Sequence, residues 1–281
     1  MLADVLPHLH CPHCQSPLAL APPSLRCPRN HTFDIARHGY ASLLRGAPPA
    51  APADTTAMVD ARHAFLTAGH YTPIAEALAA QAVETEQAAQ ASCVVEVGAG
   101  TGHYLARVLE RLAPDSVGVA LELSKAALRR GARAHPRIGA IACDVQGDLP
   151  VRTATASVVL DVFAPRNPPE LRRILRPGGR LLVVSPTPRH LAELVIPLGL
   201  LTVDPQKTER LAATLGPHFE PARTRTMEWT MSLSHEAIES LAAMGPSAFH
   251  TDRAALAARV AGLPSPASVT ASVVVAGYRP R

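Results

Sequence analysis

The sequence predicts an α/β fold, with a mainly parallel seven-stranded sheet preceded by a small N-terminal module that is rich in cysteine and histidine. From residue 93 onward, short apolar segments alternate with amphipathic ones. This alternation is typical of parallel strands joined by helices that cover both faces of the sheet. A glycine-rich loop follows the first strand, and three of the five cysteines lie within residues 11–27. We therefore expect one large α/β domain and one small domain built around the cysteines.

Seven strands and seven helices are predicted after the N-terminal module, with the first two helices in the segment that precedes the α/β domain. The strands are expected at 93–97, 116–123, 138–144, 157–164, 179–186, 223–233 and 268–280, the last two forming an antiparallel end. The helices are expected at 58–69, 74–90, 104–113, 124–134, 168–179, 235–243 and 252–261. Asp54, Thr55 or Thr56 can cap the first helix. The chain is thus divided into a module at 1–46, a linker with helices at 47–90 and the α/β domain at 91–281.

The composition limits the class of protein. The 281 residues are 47% hydrophobic and 18% charged, which indicates a sizeable packed core and excludes a globally disordered chain. No apolar run approaches the ~20 residues of a membrane-spanning helix, and the N-terminus does not have the pattern of a secretory signal. We therefore expect a cytoplasmic protein without membrane contact. The net charge of +4 mildly favours an anionic partner such as nucleic acid.

Cysteine and histidine in the N-terminal module follow the spacing C-x2-C-x12-C-x3-H. The ligands would be Cys11, Cys14, Cys27 and His31, with a hairpin between the two pairs. This spacing is typical of a closed tetrahedral Zn²⁺ site, where no coordination position stays open for water. We therefore expect a structural metal that stabilises a short segment. The alternatives are a fourth ligand among His8, His10 and His13, or unrelated cysteines in a histidine-rich tail.

Three glycines, Gly98, Gly100 and Gly102, follow the first strand of the α/β domain. Glycine lets the backbone turn sharply there and approach a ligand at the N-terminus of the next helix. A dinucleotide site has the spacing G-x-G-x-x-G, whereas here the third glycine comes one position earlier. With Glu96 before it, the loop instead resembles motif I of the class I methyltransferases, which bind S-adenosylmethionine.

Two further acidic residues follow the next two strands. Glu122 ends the second strand, where a carboxylate can accept hydrogen bonds from both ribose hydroxyls of an adenosine, and Asp144 ends the third, in reach of the adenine amino group. Acids at the C-terminal ends of successive parallel strands lie along the crevice where open α/β sheets bind ligands. Each acid alone would be interpreted as a loop residue or helix cap. Together with Glu96, they indicate a site for S-adenosylmethionine.

Several segments together resemble the 23S ribosomal RNA (guanine-N1)-methyltransferases. They are CPHCQSPL, LRCPRNHTFDIARHGYASLL, ADTTAMVDARHAFLTAGHY, VVEVGAGTGHYLARVL, NPPELRRILRPGG and PTPRHLAEL. The resemblance runs over almost the whole chain and is closest to the Gram-positive branch associated with resistance to tylosin and related macrolides. The metal hairpin followed by F-D-x-A-R-x-G-Y is more specific for this family than motif I.

This resemblance implies a class I (Rossmann-like) methyltransferase with a zinc-ribbon-like module, which methylates N1 of a guanine in a 23S rRNA hairpin loop near the peptide exit tunnel. It implies that the four ligands above hold Zn²⁺ and that four residues contact S-adenosylmethionine: Tyr71, Gly100, Thr101 and His190. Glu96 and Glu122 stand at two positions where the family has aspartate, so a carboxylate is still present at each. Residues 67–71, Thr-Ala-Gly-His-Tyr, lack the acid that the family has there. A homodimer with two metal modules on one RNA would be consistent with this reading.

The methyl transfer needs a group near guanine N1, which carries a proton at neutral pH. Asp161, at the end of the fourth strand, is the candidate base or orienting acceptor, and a purely structural acid is the alternative. Phe163 could stack on a guanine that has swung out of its hairpin, although a phenylalanine at a strand end is more often a core residue. Arginines within 129–133 and 172–176 could contact phosphates or form solvated helix faces.

Two other functions are consistent with these motifs. The first is a methyltransferase for a small molecule, in which the metal module would be a lid and loss of residues 1–46 would leave substrate affinity largely intact. The second is a zinc-ribbon nucleic-acid-binding protein with a vestigial cofactor fold, which would not bind S-adenosylmethionine. The intact set of glycines and acids argues against the second.

Overall fold

A computed structural model describes residues 2–46, 52–85, 92–204, 206–245 and 252–281. Most of the proline-rich linker and the end of the helix predicted at 74–90 lie outside this part of the chain. The strands are β1 (Ala19–Ala21), β2 (Ser24–Arg26), β3 (Thr32–Asp34), β4 (Tyr40–Ser42), β5 (Cys93–Val97), β6 (Val117–Glu122), β7 (Ile138–Ala142), β8 (Ala156–Val162), β9 (Leu175–Pro186), β10 (Phe219–Leu233) and β11 (Ala267–Pro280). The helices are α1 (Leu2–Val5), α2 (Thr56–Thr67), α3 (Thr72–Thr85), α4 (His103–Arg111), α5 (Lys125–Ala134), α6 (Pro168–Ile174), α7 (Ala192–Leu198), α8 (Lys207–Leu215), α9 (His235–Met244) and α10 (Arg253–Ala261).

Eight strands form the main sheet, in the order β10-β11-β9-β8-β5-β6-β7-β4. Strands β9 to β4 in this order pair in parallel, while β11 is antiparallel to both β9 and β10. All seven predicted strands are present, and the antiparallel pair lies at one end as predicted. The sheet nevertheless has eight strands, one more than the seven predicted. The eighth strand is β4 of the N-terminal module, which pairs with β7.

The predicted helices correspond to α2 to α6, α9 and α10. Helix α2 begins where the capping residues predicted, since the Thr55 side chain accepts a hydrogen bond from the backbone N–H of Met58. Helix α6 is shorter than predicted because β9 already begins at Leu175. Sequence reasoning missed α1, α7 and α8, which have only 4, 7 and 9 residues. No helix in the described part of the chain is long and apolar enough to cross a membrane.

Alternate residues of the central strands face two different cores. On β5, Val94 belongs to the core that α2, α3, α4, α9 and α10 cover, whereas Val95 belongs to the core beneath α1, α6 and α8. This period of two is the geometry of an extended strand. A side chain at a strand end is therefore directed to one face or the other by its position in the strand, which matters for the acids of the site.

The N-terminal module is continuous with the second of these cores. Strands β1, β2 and β3 form a small antiparallel sheet, and its buried residues Leu25 and Phe33 share a hydrophobic cluster with residues of β5 to β9. Val5 of α1 packs directly on β7, where a Cβ on Gly139 would lie 2.2 Å from its Cγ2. The module and the main sheet are thus held together by shared apolar packing and by the β4–β7 pairing.

Candidate active site and metal centre

A cavity of about 930 Å³ opens at the C-terminal ends of the parallel strands β5, β6 and β8. Its walls include the loops after these strands, the first turn of α4, and residues of α2, α7, α8 and α9. Open α/β sheets bind their ligands at this end, where strand ends and helix N-termini meet. The predicted site residues that line it are Tyr71, Glu96, Gly98, Gly100, Thr101, Glu122, Asp144, Phe163 and His190. Gly102 and Asp161 are not among its lining residues.

The glycine loop has the left-handed backbone that its sequence predicts. Gly98 and Gly100 have φ of 62° and 53°, and a Cβ on Gly98 would lie only 2.7 Å from Cβ of Ala164. Gly102 has φ of 74° and caps α4, and a Cβ there would lie 3.2 Å from Cα of Gly131 on α5. Gly102, predicted to bind the cofactor, therefore permits the close packing of α4 against α5 instead of lining the cavity.

Glu96 joins the first strand of the site to the helix that follows it. Its side chain is buried, and Oε2 accepts a hydrogen bond from the backbone N–H of Leu105 at 3.2 Å. Burial raises the pKa of this carboxyl well above its usual value, and the charges of Glu122 and Asp161 add to the effect. Glu96 thus fixes the first turn of α4 at the cavity wall.

Glu122 and Asp144 face the cavity from the ends of β6 and β7, as predicted. Glu122 accepts three backbone N–H hydrogen bonds, from Gly100 at 2.8 Å, Leu123 at 2.7 Å and Ser124 at 2.8 Å. These bonds hold its carboxylate rigidly between the glycine loop and α5. Asp144 accepts a hydrogen bond through Oδ1 from the N–H of Gln146 at 3.0 Å. Both acids are therefore oriented by local backbone before any ligand binds.

Three rings, those of Tyr71, Phe163 and His190, form an aromatic wall of the cavity. The centroid of Phe163 lies 6.3 Å from that of Tyr71 and 6.1 Å from that of His190. The N–H of Ser272 donates to Nδ1 of His190, so Nε2 carries the proton and donates to the Tyr71 hydroxyl at 3.1 Å. Burial lowers the pKa of His190 to about 4, and the charge of Lys207 adds to this effect. At neutral pH His190 is therefore uncharged and held in one tautomer.

Asp161, expected to point toward the methyl group, is not among the residues that line the cavity, and its role stays a prediction. Asp161 lies on the same sheet face as Val159, opposite to Val162, and its side chain is fully buried. Burial raises its pKa to about 7, although the charge of Arg166 opposes this. The geometry does not fit a base that touches the target nucleotide directly.

Several cations of the cavity could not be found from the sequence. They are Arg62, Arg166, Lys207 and Arg210. Arg62 forms an ion pair with Asp54 and donates to the carbonyl of Met244 at 2.8 Å, which connects α2 to α9 across the cavity. Arg62 lies on a predicted helix, but nothing in its position marks it as a cavity residue; Arg166 lies in a loop, and Lys207 and Arg210 are on the missed helix α8.

The two arginine clusters differ in what they contact. Arg173 is held by Glu170, with N–O distances of 2.6 and 2.7 Å, and by backbone carbonyls, so its cluster has a structural role. Arg133 on α5 instead lies beside His38 of the N-terminal module, with Nη2 2.9 Å from Nδ1, and Arg37 contacts the other ring nitrogen at 3.2 Å. No carboxylate among the described residues forms an ion pair with Arg37, Arg129 or Arg133.

The predicted metal ligands converge at one point of the N-terminal module. The ligand atoms of Cys11, Cys14, Cys27 and His31 all lie within 4.8 Å of one another. Sγ of Cys14 is 3.6 Å from Sγ of Cys27, and Nδ1 of His31 is 3.4 Å from Sγ of Cys11 and from Sγ of Cys27. Tetrahedral Zn²⁺ with its usual bond lengths places neighbouring ligand atoms roughly 3.5–3.8 Å apart. The site therefore fits zinc, with His31 as the fourth ligand.

The three neighbouring histidines have other contacts. His8 hydrogen-bonds the Thr155 hydroxyl at 2.8 Å, and Nδ1 of His10 lies 3.2 Å from the carbonyl of Cys11. The ring of His13 stacks on Phe33, with centroids 5.8 Å apart. None of them belongs to the metal cluster found among the described residues.

Comparisons with known proteins agree with both halves of the chain. A family profile described as "RlmA, N-terminal", a zinc ribbon, matches residues 9–46. The chain is 52% identical over 296 aligned positions to a protein assigned as a 23S rRNA (guanine-N(1)-)-methyltransferase in Micromonospora griseorubida, with 100% of each chain covered. It is 51% identical over 280 positions to the 23S rRNA (guanine(748)-N(1))-methyltransferase of Streptomyces fradiae, covering 100% of this chain and 99% of the relative. The chain belongs to the 23S rRNA (guanine-N1)-methyltransferases.

Solved structures confirm the fold of this rRNA methyltransferase. YcgJ of Bacillus subtilis matches with a TM-score of 0.51 at 12% identity, covering 73% of this chain and 99% of that one. The MccD protein matches with a TM-score of 0.51 at 14% identity, covering 74% and 99%. These likenesses concern the fold alone. They agree with the predicted class I methyltransferase fold, to which the zinc ribbon is added.

The cavity of the methyltransferase also fits S-adenosylmethionine. Its volume is within the roughly 300–1,000 Å³ typical of small-ligand pockets. Gly98, Gly100 and Thr101 line the cavity beside β5, and the carboxylates of Glu122 and Asp144 offer acceptors for hydroxyl and amino groups. These acceptors match the ribose hydroxyls and the adenine amino group of an adenosine.

Proposed function

We propose that this protein transfers the methyl group of S-adenosylmethionine to N1 of a guanine in a 23S rRNA hairpin loop near the peptide exit tunnel, at the position equivalent to guanine 748. The full-length identity to the Streptomyces fradiae enzyme carries this proposal, because that relative is named for this nucleotide. The enzyme would act in the cytoplasm on ribosomal RNA. The resulting mark would reduce binding of tylosin-type macrolides.

In this proposal the methyl donor lies along the ends of β5, β6 and β7. S-adenosylmethionine supplies an electrophilic methyl group, so the protein mainly has to align it with the attacking nitrogen. Glu122 accepts the ribose hydroxyls and Asp144 accepts the adenine amino group. The loop from Gly98 to Thr101 borders the methionine part. Tyr71, fixed by the single tautomer of His190, donates its hydroxyl hydrogen into the cavity.

The RNA substrate would contact a surface formed jointly by the zinc module and the methyltransferase domain. We call Arg37, His38, Arg129 and Arg133 the basic seam. Burial lowers the pKa of His38, and the nearby charges of Arg37, Arg133 and Arg129 lower it further. Cations that crowd together without an acidic partner favour an anion between them, and the RNA backbone supplies phosphates. The zinc ribbon would thus position the hairpin while the cavity receives the guanine.

Replacing Arg37 and Arg133 together by alanine is expected to weaken binding of an rRNA hairpin fragment about tenfold, because two phosphate contacts are lost. The dependence of log Kd on log salt concentration should become shallower by about 1.5. The single-turnover rate constant at saturating RNA should stay unchanged. Fluorescence anisotropy at several KCl concentrations measures the first two quantities.

The matched control replaces Arg107 and Arg111, two half-exposed arginines on α4 that form ion pairs with Glu76 and Glu110. This pair removes the same charge from a different surface. An equal loss of affinity in the control would attribute the effect to net charge and would exclude the basic seam as a specific contact.

The proposed reaction is tested with unmodified 23S rRNA fragments, the purified protein and S-adenosylmethionine. Mass spectrometry of nuclease fragments should show one added methyl group on the hairpin, and primer extension should stop at the methylated guanine. A reaction without that stop would refute the proposal. Calorimetry that detects no binding of S-adenosylmethionine would instead favour a vestigial cofactor fold. Methylation of a small molecule instead of the rRNA fragment by the full-length protein would favour the small-molecule alternative. The homodimer stays a prediction, which sedimentation of the protein with the hairpin would test.

A further inference from the structure

Acids predominate at one end of the cavity and cations at another, where Asp204 also lies and forms an ion pair with Arg210. Glu122 and Asp144 lie at the ends of β6 and β7. Arg166, Lys207 and Arg210 line another wall, from the loop after β8 and from α8. Because the proposed function, on which this inference rests, places the adenosine on the acidic side, the cationic side is left for the RNA substrate.

Arg166 is held on the cationic side by a buried ion pair. Its Nη2 lies 3.2 Å from Oδ1 of Asp161, whose side chain is fully buried, while the side chain of Arg166 is 17% exposed. Neither carboxylate oxygen of Asp161 has a hydrogen-bond partner among the described residues, so this ion pair is the contact that offsets the cost of burying the charge. Nε of Arg166 has no hydrogen-bond partner among the described residues. A guanidinium has five N–H donors, and because Arg166 lines the cavity, its terminal N–H groups can donate to a ligand.

The groups around Arg166 leave a local excess of positive charge. Asp161 faces it from β8, Lys207 from α8 and Tyr278 from β11, while Asp204 faces Lys207. Burial raises the pKa of Tyr278, which is therefore neutral at physiological pH. Burial lowers the pKa of Lys207, and the charge of Arg166 adds to this effect. Three cations, Arg166, Lys207 and Arg210, thus line this side of the cavity beside two acids, the buried Asp161 and the half-exposed Asp204 that pairs with Arg210.

An aromatic ring lies in the same loop as Arg166. Phe163 has φ of 56°, a backbone conformation that L residues rarely adopt, and 41% of the residue is exposed. Such strain is retained mainly where it serves a site. A purine stacked on this ring would lie in the same loop as the guanidinium three residues further along the chain.

Guanine has an atom that the guanidinium of Arg166 can stabilise. N1 carries a proton at neutral pH, and loss of the proton leaves a negative charge shared between N1 and O6. A fixed cation at O6 stabilises that charge where little water competes with it. A protein base in contact with N1 is then unnecessary, which agrees with the burial of Asp161 away from the cavity.

We propose that the guanidinium of Arg166, positioned by Asp161, donates hydrogen bonds to O6 of the target guanine and stabilises the base deprotonated at N1. The N1 proton leaves to water at the mouth of the cavity, and the electron pair of the N–H bond stays on the base. This pair forms the bond from N1 to the methyl carbon while the carbon–sulfur bond breaks with its pair on sulfur. The products are N1-methylguanine and S-adenosylhomocysteine. Arg166 is the catalytic residue in this scheme, and Asp161 is a positioning residue.

The test measures single-turnover rate constants with saturating rRNA hairpin between about pH 6 and pH 10. The wild-type rate should rise with pH, because the deprotonated base is the nucleophile. In Arg166→Gln the rate constant near neutral pH should fall by about 10²-fold, and the rising limb should move to higher pH by one to two units. Arg166→Lys keeps the charge without the planar fork and should lose only about tenfold. Arg111→Gln, on the exposed face of α4, is the control.

Binding of S-adenosylmethionine, measured by calorimetry, separates this scheme from its competitors. The Kd of Arg166→Gln should stay within about twofold of wild type; a tenfold increase would place Arg166 on the methionine carboxylate and overturn the proposal. Asp161→Asn should keep the rising limb with a lower rate, since Arg166 remains but is less well held. Loss of the rising limb in Asp161→Asn would make Asp161 the base and would equally overturn it.

Methylation by the wild-type protein, measured in parallel, distinguishes a failure of this inference from a failure of the proposed function. If the wild-type protein does not methylate guanine N1, the proposed function fails. If it does, and the pH profile of Arg166→Gln matches that of wild type, only the role of Arg166 fails. Circular dichroism of each variant ensures that a loss of rate is compared between folded proteins.

Discussion

Chelation of the metal is expected to lower the melting temperature of the whole protein by about 10 °C or more. The reason is that Cys11 and Cys27 belong to the same apolar core as β5 to β9, and β4 is a strand of the main sheet. Structural zinc contributes on the order of 10 kcal/mol of binding free energy to its module. If the loss of zinc lowers the stability of the main domain by only a few kcal/mol, the melting temperature falls by about 10 °C, because ~1 kcal/mol corresponds to roughly 2–4 °C at this size. Calorimetric melting before and after EDTA, with the zinc content measured in parallel, tests this.

Cys27→Ala should reproduce the effect of EDTA, and Cys143→Ala is its control. Cys143 is a buried thiol outside the metal cluster, and burial raises its pKa, so it stays an uncharged packing residue. The control should retain one zinc and lose only about 1 kcal/mol from a small cavity. Two separate transitions, with the second unaffected by EDTA, would show that the module and the sheet are independent.

Gly98→Ala is expected to weaken binding of S-adenosylmethionine by about 10²-fold or more. The new Cβ would lie 2.7 Å from Cβ of Ala164, so the loop or the end of β8 must move. The φ of 62° adds strain of about 1 kcal/mol for any residue other than glycine. Displacement of this loop narrows the cavity beside β5, where the methyl donor has to fit. Calorimetric titration with S-adenosylmethionine measures the change.

Gly178→Ala separates the two causes. Gly178 also has a positive φ, 79°, but a Cβ there would meet nothing within 4 Å. It should therefore lose about 1 kcal/mol of stability and bind S-adenosylmethionine normally. If Gly98→Ala bound as tightly as Gly178→Ala, the close approach of the loop to Ala164 would have no role in the site.

Much of the site could be predicted because its determinants are local in sequence. The spacing of Cys11 to His31 fixes which side chains can surround one ion, and acids that end successive parallel strands share one edge of the sheet. Glu122 and Asp144 therefore line the cavity as expected. The same holds for the family relationship, which rests on segments spread over the whole chain.

The remaining features depend on tertiary packing. The direction of Asp161 depends on strand parity, and a shift of one residue along β8 moves a side chain to the other face. Strand β4 has three residues, too few for a periodic pattern, and exists because β7 offers a free edge. Arg166 and Lys207 line the same cavity only because α8, which the sequence did not reveal, brings Lys207 close to Arg166.

The pairing of β4 with β7 also sets an order of events during synthesis. Ala41 pairs with Ile141, one hundred residues further along the chain. At about 5–20 residues per second, the ribosome needs roughly 5–20 s to make the intervening segment. Strands β1, β2 and β3 of the zinc ribbon form a sheet of their own, so this part of the module can bind its metal and fold during that interval. When β7 emerges from the ribosome, β4 of the zinc-bound module is already present and can pair with the edge of β7. This pairing protects the edge from pairing with other chains.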